Sequence, residues 1–129
     1  MFTLSQIKTA YEKVQTGADF PIYIKDLIQL GIQGYNTMVS DGSVDYFGAN
    51  EYSVSTEKKY DKLTIAPAAN KERFIEFLVM HQDGQTDYFT FCKQAAQCGI
   101  AKWQIDIIEM ECTYFDLLDN AVVIEKIPV

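Results

Sequence analysis

The chain has 129 residues, of which 48% are hydrophobic and 22% charged. That composition suits one globular domain with a real core and excludes disordered and fibrous classes. The net charge is −7, and the basic residues are scattered, the densest group being Lys58, Lys59 and Lys62. Nucleic acid and anionic membrane are therefore not expected as partners, because both would be repelled. The longest apolar runs are a few residues, such as Phe77 to Met80, well short of the roughly 20 needed to span a bilayer. The first residues lack the basic start and apolar block of a signal peptide. The three cysteines, Cys92, Cys98 and Cys112, are odd in number and irregularly spaced. That reads as reduced thiols in a cytoplasmic protein.

In chain order, Thr3 and Gln6 form a capping box in front of Leu4, Ile7, Tyr11 and Val14, which share one face of a helix. Gly17 is its expected stop. Asp19 caps a second helix with Pro21 in its first turn, Ile24, Leu27 and Ile28 on its inner face, and Gly31 at its end. The period then changes to two. Tyr35, Thr37 and Val39 make a strand, Asp41-Gly42 is expected to form a two-residue type I′ turn, and Val44, Tyr46 and Phe47 return. Tyr52 to Thr56 makes a third strand. Residues 57–62 are a polar loop, and Leu63 to Ile65 a short strand or edge segment.

Asn70 caps a third helix with Phe74, Phe77, Leu78 and His81 in one stripe, closed by Asp83-Gly84. Asp87 or Thr86 caps a fourth, whose buried side takes Tyr88, Phe91, Cys92 and Ala95, and Gly99 ends it. Trp103, Ile105 and Ile107 alternate as a strand, and Met110, Cys112 and Tyr114 alternate in another phase. The slip near Glu109 predicts a bulge or tight bend. Leu118 to Asn120 turn the chain into a last strand, Ala121 to Ile127.

The order helix, helix, strands occurs twice. At an offset of 68, residues 19–47 and 87–115 share 7 identities in 29 positions: Asp19/Asp87, Lys25/Lys93, Gln29/Gln97, Gly31/Gly99, Ile32/Ile100, Tyr46/Tyr114 and Phe47/Phe115. One residue less of offset brings Gln15 and Gly17 onto Gln82 and Gly84. The expected architecture is an α+β single domain, residues 1–129. It is an internal duplication of a helix-helix-strand-strand-strand unit (halves 3–60 and 70–127), with a mainly antiparallel sheet packed by four helices. The Asp41-Gly42 turn has no counterpart at Glu109-Met110. Halves so related would pack about a pseudo-twofold axis, leaving a groove between them as a natural ligand site.

Chemistry is sparse. There is one histidine and no Cys-x-x-Cys, and Cys92 and Cys98 lie six apart on a helix, so no metal is expected. None of the seven glycines belongs to a phosphate-binding fingerprint, and no cofactor is expected. Cys92 with His81 is the one candidate thiolate pair. Core filler and a helix-end residue are the competing readings of those two. Asp106, Glu109 and Glu111 are carboxylates near strands, suited to acid–base work in a cleft or to a solvated face. Tyr35, Tyr46, Trp103 and Tyr114, with Asp106, are candidate ligand-binding residues of an aromatic groove, against the alternative that aromatics pack the core.

Several runs taken together resemble the YbcV-like family of small bacterial proteins. They are Gly17-Ala18-Asp19-Phe20-Pro21 with Tyr23-Ile24, Asp41-Gly42 with Tyr46-Phe47-Gly48-Ala49 and Tyr52 to Ser55, and Thr86-Asp87-Tyr88 with Thr90-Phe91-Cys92. Gly99 to Trp103, Asp106, Met110, Cys112-Thr113-Tyr114 and Glu125 to Pro128 complete the set. The likeness covers nearly the whole chain and implies a bacterial or prophage origin. The family has no established activity, so no site residue is carried over. Its members are sometimes labelled phage envelope proteins, a label for which this sequence offers neither membrane segment nor export signal. The expected function is a non-enzymatic small-ligand- or protein-binding accessory module, with a homodimer or a protein partner. The alternatives are a small-substrate enzyme using carboxylates or the Cys–His pair, and a phage structural component.

Overall fold

The computed structural model describes residues 1–14 and 19–127. Helix α1 spans Leu4–Tyr11, and its capping box is formed: Gln6 N–H donates to Thr3 Oγ1 at 3.2 Å and Thr3 N–H to Gln6 Oε1 at 2.9 Å. The expected stop at Gly17, and the match of Gln15 and Gly17 to the second half, lie outside the described residues. Helix α2 spans Phe20–Gln29 with Pro21 in its first turn. Asp19 already has helical dihedrals (φ −86°, ψ −6°) rather than the extended backbone of a capping residue. Asp87 is extended and accepts Thr90 N–H at 2.7 Å, so it does cap α4, which spans Tyr88–Gln97. Helix α3 spans Lys71–Gln82, and Asn70 caps it through Arg73 N–H. Both α2 and α4 end at a glycine with positive φ, Gly31 at +88° and Gly99 at +81°, where a side chain would be strained.

Six strands follow the helix pairs: β1 (Ile32–Met38), β2 (Val44–Gly48) and β3 (Ser53–Ser55) after the first, β4 (Lys102–Asp106), β5 (Glu111–Phe115) and β6 (Ala121–Lys126) after the second. They form one antiparallel sheet in the order β3-β2-β1-β4-β5-β6. Each half is a three-stranded meander, and the halves join along β1 and β4. The registers coincide at the offset of 68. Tyr35 faces Tyr46 as Trp103 faces Tyr114, and Thr37 faces Val44 as Ile105 faces Cys112. Across the joint Asn36 faces Gln104, a pair that the same offset maps onto itself.

Two local expectations change. The Asp41-Gly42 turn is not a two-residue I′ turn: β1 ends at Met38 and β2 begins at Val44. Only Gly42 of the pair has positive φ, +76°. Asp41 spends its side chain on Ser43, whose backbone N–H and hydroxyl donate to Oδ1 at 2.9 and 2.7 Å, and this Asx arrangement needs a longer loop. Leu63 to Ile65 form no strand. That segment crosses from one half to the other, pinned by Leu63 N–H to Ser40 O and Ala66 N–H to Ala96 O. The slip at Glu109 is the tight turn between β4 and β5, with Met110 at φ +54° and Asp106 Oδ1 accepting Glu109 N–H.

Burial alternates along the strands, with Tyr35, Thr37, Val44, Tyr46, Trp103, Ile105, Cys112 and Tyr114 inside. Among the described residues the four α-helices lie on that side, giving two layers. Phe74 of α3 meets Tyr114 and Phe91 of α4 meets Trp103, while Tyr23 of α2 meets Tyr46 and is itself covered by Tyr11 of α1. Fully buried Ile24, Leu27, Phe74 and Ile100 fill the space between the layers, each stabilising by roughly 1.5–3 kcal/mol relative to exposure. No helix among the described residues is long and apolar enough to cross a membrane.

Candidate functional site

Of the two readings of the candidate aromatics, groove lining and core packing, the structure shows the second. Tyr35, Tyr46, Trp103 and Tyr114 are all buried under the helices, none more than 9% exposed. In the first half Tyr11, Tyr23, Tyr46 and Tyr35 run from the surface to the core. Tyr11 and Tyr23 rings are 5.6 Å apart, the Tyr23 and Tyr46 hydroxyls 3.2 Å, and Tyr46 and Tyr35 rings 5.2 Å. In the second half Tyr88 reaches Trp103 at 6.3 Å and Trp103 reaches Tyr114 at 5.9 Å, with Tyr114 Oη donating to Glu125 at 3.3 Å. Burial pushes the pKa of Tyr23, Tyr35, Tyr46 and Tyr114 up, so these phenols stay neutral. Asp106 is not with them. It alternates with Ile105 and so stands on the other face of the sheet.

Cys92 and His81 also have separate surroundings. The Cys92 thiol is fully buried, near Tyr60, Tyr88 and Lys59. Burial raises its pKa, only partly offset by the two phenols and the lysine. His81 stacks on Phe91 (centroids 4.4 Å, planes 11° apart), and its Nδ1 lies 3.1 Å from Thr86 Oγ1 and 3.2 Å from Thr86 O. Burial lowers its pKa, against the pull of the Thr86 contact and Asp87. The imidazole ties the end of α3 to the start of α4. Among the described residues no three of His, Cys, Asp and Glu gather as metal ligands.

A family model described as a protein of unknown function (DUF1398) matches residues 8–126. This chain belongs to the DUF1398 family. No curated protein matches it. The match runs from within α1 to the last residue of β6 and so takes in both meanders.

Among the described residues no helix packs on the other face of the sheet. Strand alternation places Asp45, Asn36, Gln104 and Thr113 in one row across four strands, and Phe47, Gly34, Asp106 and Glu111 in the next. Lys102 and Phe115 belong to a third row, with Lys102 Nζ 5.1 Å from the Phe115 ring centroid. The side chains of these rows on β1, β2, β4 and β5 are half-buried. The tip of the Phe47 ring lies against Gly34, where a Cβ would come within 2.5 Å of it. Lys126 pairs with Glu111 and Lys102 with Asp119, whereas Asp45 and Asp106 belong to no ion pair among the described residues. Sequence reasoning singled out Asp106 and Glu111 of this face and missed Asn36, Phe47, Gln104 and Phe115. The signal was present in the Tyr46-Phe47 and Tyr114-Phe115 match. On a strand, neighbours point to opposite faces, so a repeated Tyr-Phe gives one core and one outer aromatic in each half.

Proposed function

We propose that this chain is a non-enzymatic binding module that uses the uncovered face of its sheet, and that the face binds a segment of another protein. One observation carries the reading: Phe47 and Phe115 occupy matched outer positions, on either side of the central amide pair Asn36 and Gln104. Two aromatic rings offer apolar area, and the amides between them offer donors and acceptors for a backbone. The carboxylates of Asp45 and Asp106 favour a partner that brings cationic side chains there, and disfavour phosphate. The contacts described for His81 are with Thr86 and Phe91, and those for Cys92 with Tyr60, Tyr88 and Lys59, which favours the binding reading over a Cys–His pair.

The likeness to the YbcV-like proteins, with the bacterial or prophage origin it implies, belongs to the same reading. It rests on the residue runs quoted above, and duplication of one helix–helix–meander unit is its structural counterpart, supported by the shared offset of 68 in sequence and register. The test is native mass spectrometry of protein purified gently from its own cells, beside a Phe47→Ala/Phe115→Ala variant and a surface control such as Glu57→Ala. A co-purified polypeptide held by wild type and control and lost from the double variant supports the reading. Equal retention by the double variant overturns it, and so does a bound small molecule that neither substitution disturbs.

A further inference from the structure

The two outer edges of the sheet differ. β3 is three residues long, presents Ser53 and Ser55, and runs into the charged stretch Glu57, Lys58, Lys59. Short, charged edges of this kind resist further pairing. β6 is six residues long and mostly apolar, Ala121-Val122-Val123-Ile124-Glu125-Lys126. Ile127 N–H donates inward to Met110 O, so by alternation the backbone groups of Ile124 and Lys126 point outward from the edge. Ile124 is 60% exposed. Gln82 of α3 donates to Glu125 of β6. Val79 and Ile75 lie one and two turns back on that same stripe of α3 and are also exposed, so apolar side chains flank the edge on both faces of the sheet.

We infer that β6 pairs with β6 of a second copy of this chain, antiparallel about a twofold axis at Ile124, and extends the sheet across the dimer. The charge pattern of β6 permits the edge to pair with itself and narrows the register. A twofold antiparallel pair sets one residue opposite itself. Centred on Glu125 or Lys126, it would oppose like charges, which is destabilising. Centred on Val123, both central hydrogen-bonded pairs would join Ile124 to Val122, whereas centred on Ile124 the axial pair forms without Val122. That residue is the extra one where the β5–β6 register slips between Tyr114 and Phe115. Centred on Ile124, it opposes Glu125 to Val123 and Lys126 to Val122, so every charge meets an apolar residue. The remaining charges are satisfied within each copy, Lys126 by Glu111 and Glu125 by Gln82 and Tyr114.

Sedimentation equilibrium of the full chain at tens of micromolar tests this. The expected mass is twice 14.7 kDa. Ile124→Lys and Ile124→Glu should each sediment as monomers with unchanged circular dichroism, because each puts like charges together on the axis. Mixing the two should restore the dimer mass. A monomeric wild type, or a dimer of the same mass in Ile124→Lys alone, overturns the inference. So does failure of the two variants to associate when mixed, since association there needs residue 124 of each copy to face its counterpart.

Discussion

The hydroxyls of Tyr23 and Tyr46 meet 3.2 Å apart beneath the helix layer, where both side chains are buried. One phenol donates and the other accepts, so each partly offsets the cost of taking the other out of water. Tyr23→Phe alone, or Tyr46→Phe alone, leaves the opposite hydroxyl without this partner. Each should destabilise by about 1–2 kcal/mol, and the double variant by clearly less than the sum. Urea unfolding of the four proteins measures the coupling. Additive losses would show that the contact contributes nothing of its own.

His81 gives the fold a pH dependence of fixed sign. Its pKa is lowered in the folded protein by burial, while an unfolded histidine titrates near 6.5. The folded state therefore binds fewer protons, and the stability this imidazole contributes is full above that value and lost as pH falls through the folded pKa. The urea midpoint should drop between pH 7.5 and pH 5, and His81→Gln should flatten that part of the profile. A midpoint that rises on acidification would mean that the stacking on Phe91 and the nearby Asp87 favour the charged ring.

Gly34 is the position where the sheet has no room for a side chain. A Cβ there would stand 2.5 Å from the Ile105 carbonyl oxygen and 2.5 Å from the Phe47 ring. Gly34→Ala should cost about 1–3 kcal/mol, as overpacking of a fixed backbone does. Adding Phe47→Ala should recover only part of that, because the carbonyl belongs to β4 and cannot swing away. Thermal unfolding of the three variants reads the difference. Full recovery in the double variant would place the whole conflict in the ring.

The elements were legible where local chemistry acts alone. The Thr3–Gln6 box, the Asn70 and Asp87 caps, and the glycines after α2 and α4 each state a backbone requirement within a few residues. The Asp41-Gly42 turn misled because Asp41 had a second use, holding Ser43, that only the finished loop reveals. The site misled for a different reason. Period two shows that Tyr46 and Phe47 oppose one another, but not which face the helices will cover. That is decided by contacts such as Tyr23 to Tyr46, between residues far apart in sequence. Tyrosine's polar tip left both core and groove open; burial and phenol–phenol contact put Tyr23, Tyr35, Tyr46 and Tyr114 in the core.

Cys92 tests that division between core and surface. Its thiol is wholly buried and its pKa is raised by burial, so at neutral pH it is a protonated thiol that reagent cannot reach. Cys98 and Cys112 are buried as well, and burial pushes Cys112 up to about 12. In the folded protein a disulfide-exchange reagent should therefore label none of the three at the rate of a free thiol. All three should react together once urea passes the unfolding midpoint. A single fast thiol at neutral pH, lost in Cys92→Ser, would mean that Lys59 and the phenols of Tyr60 and Tyr88 hold Cys92 as a thiolate, and would bring back a nucleophile at this position.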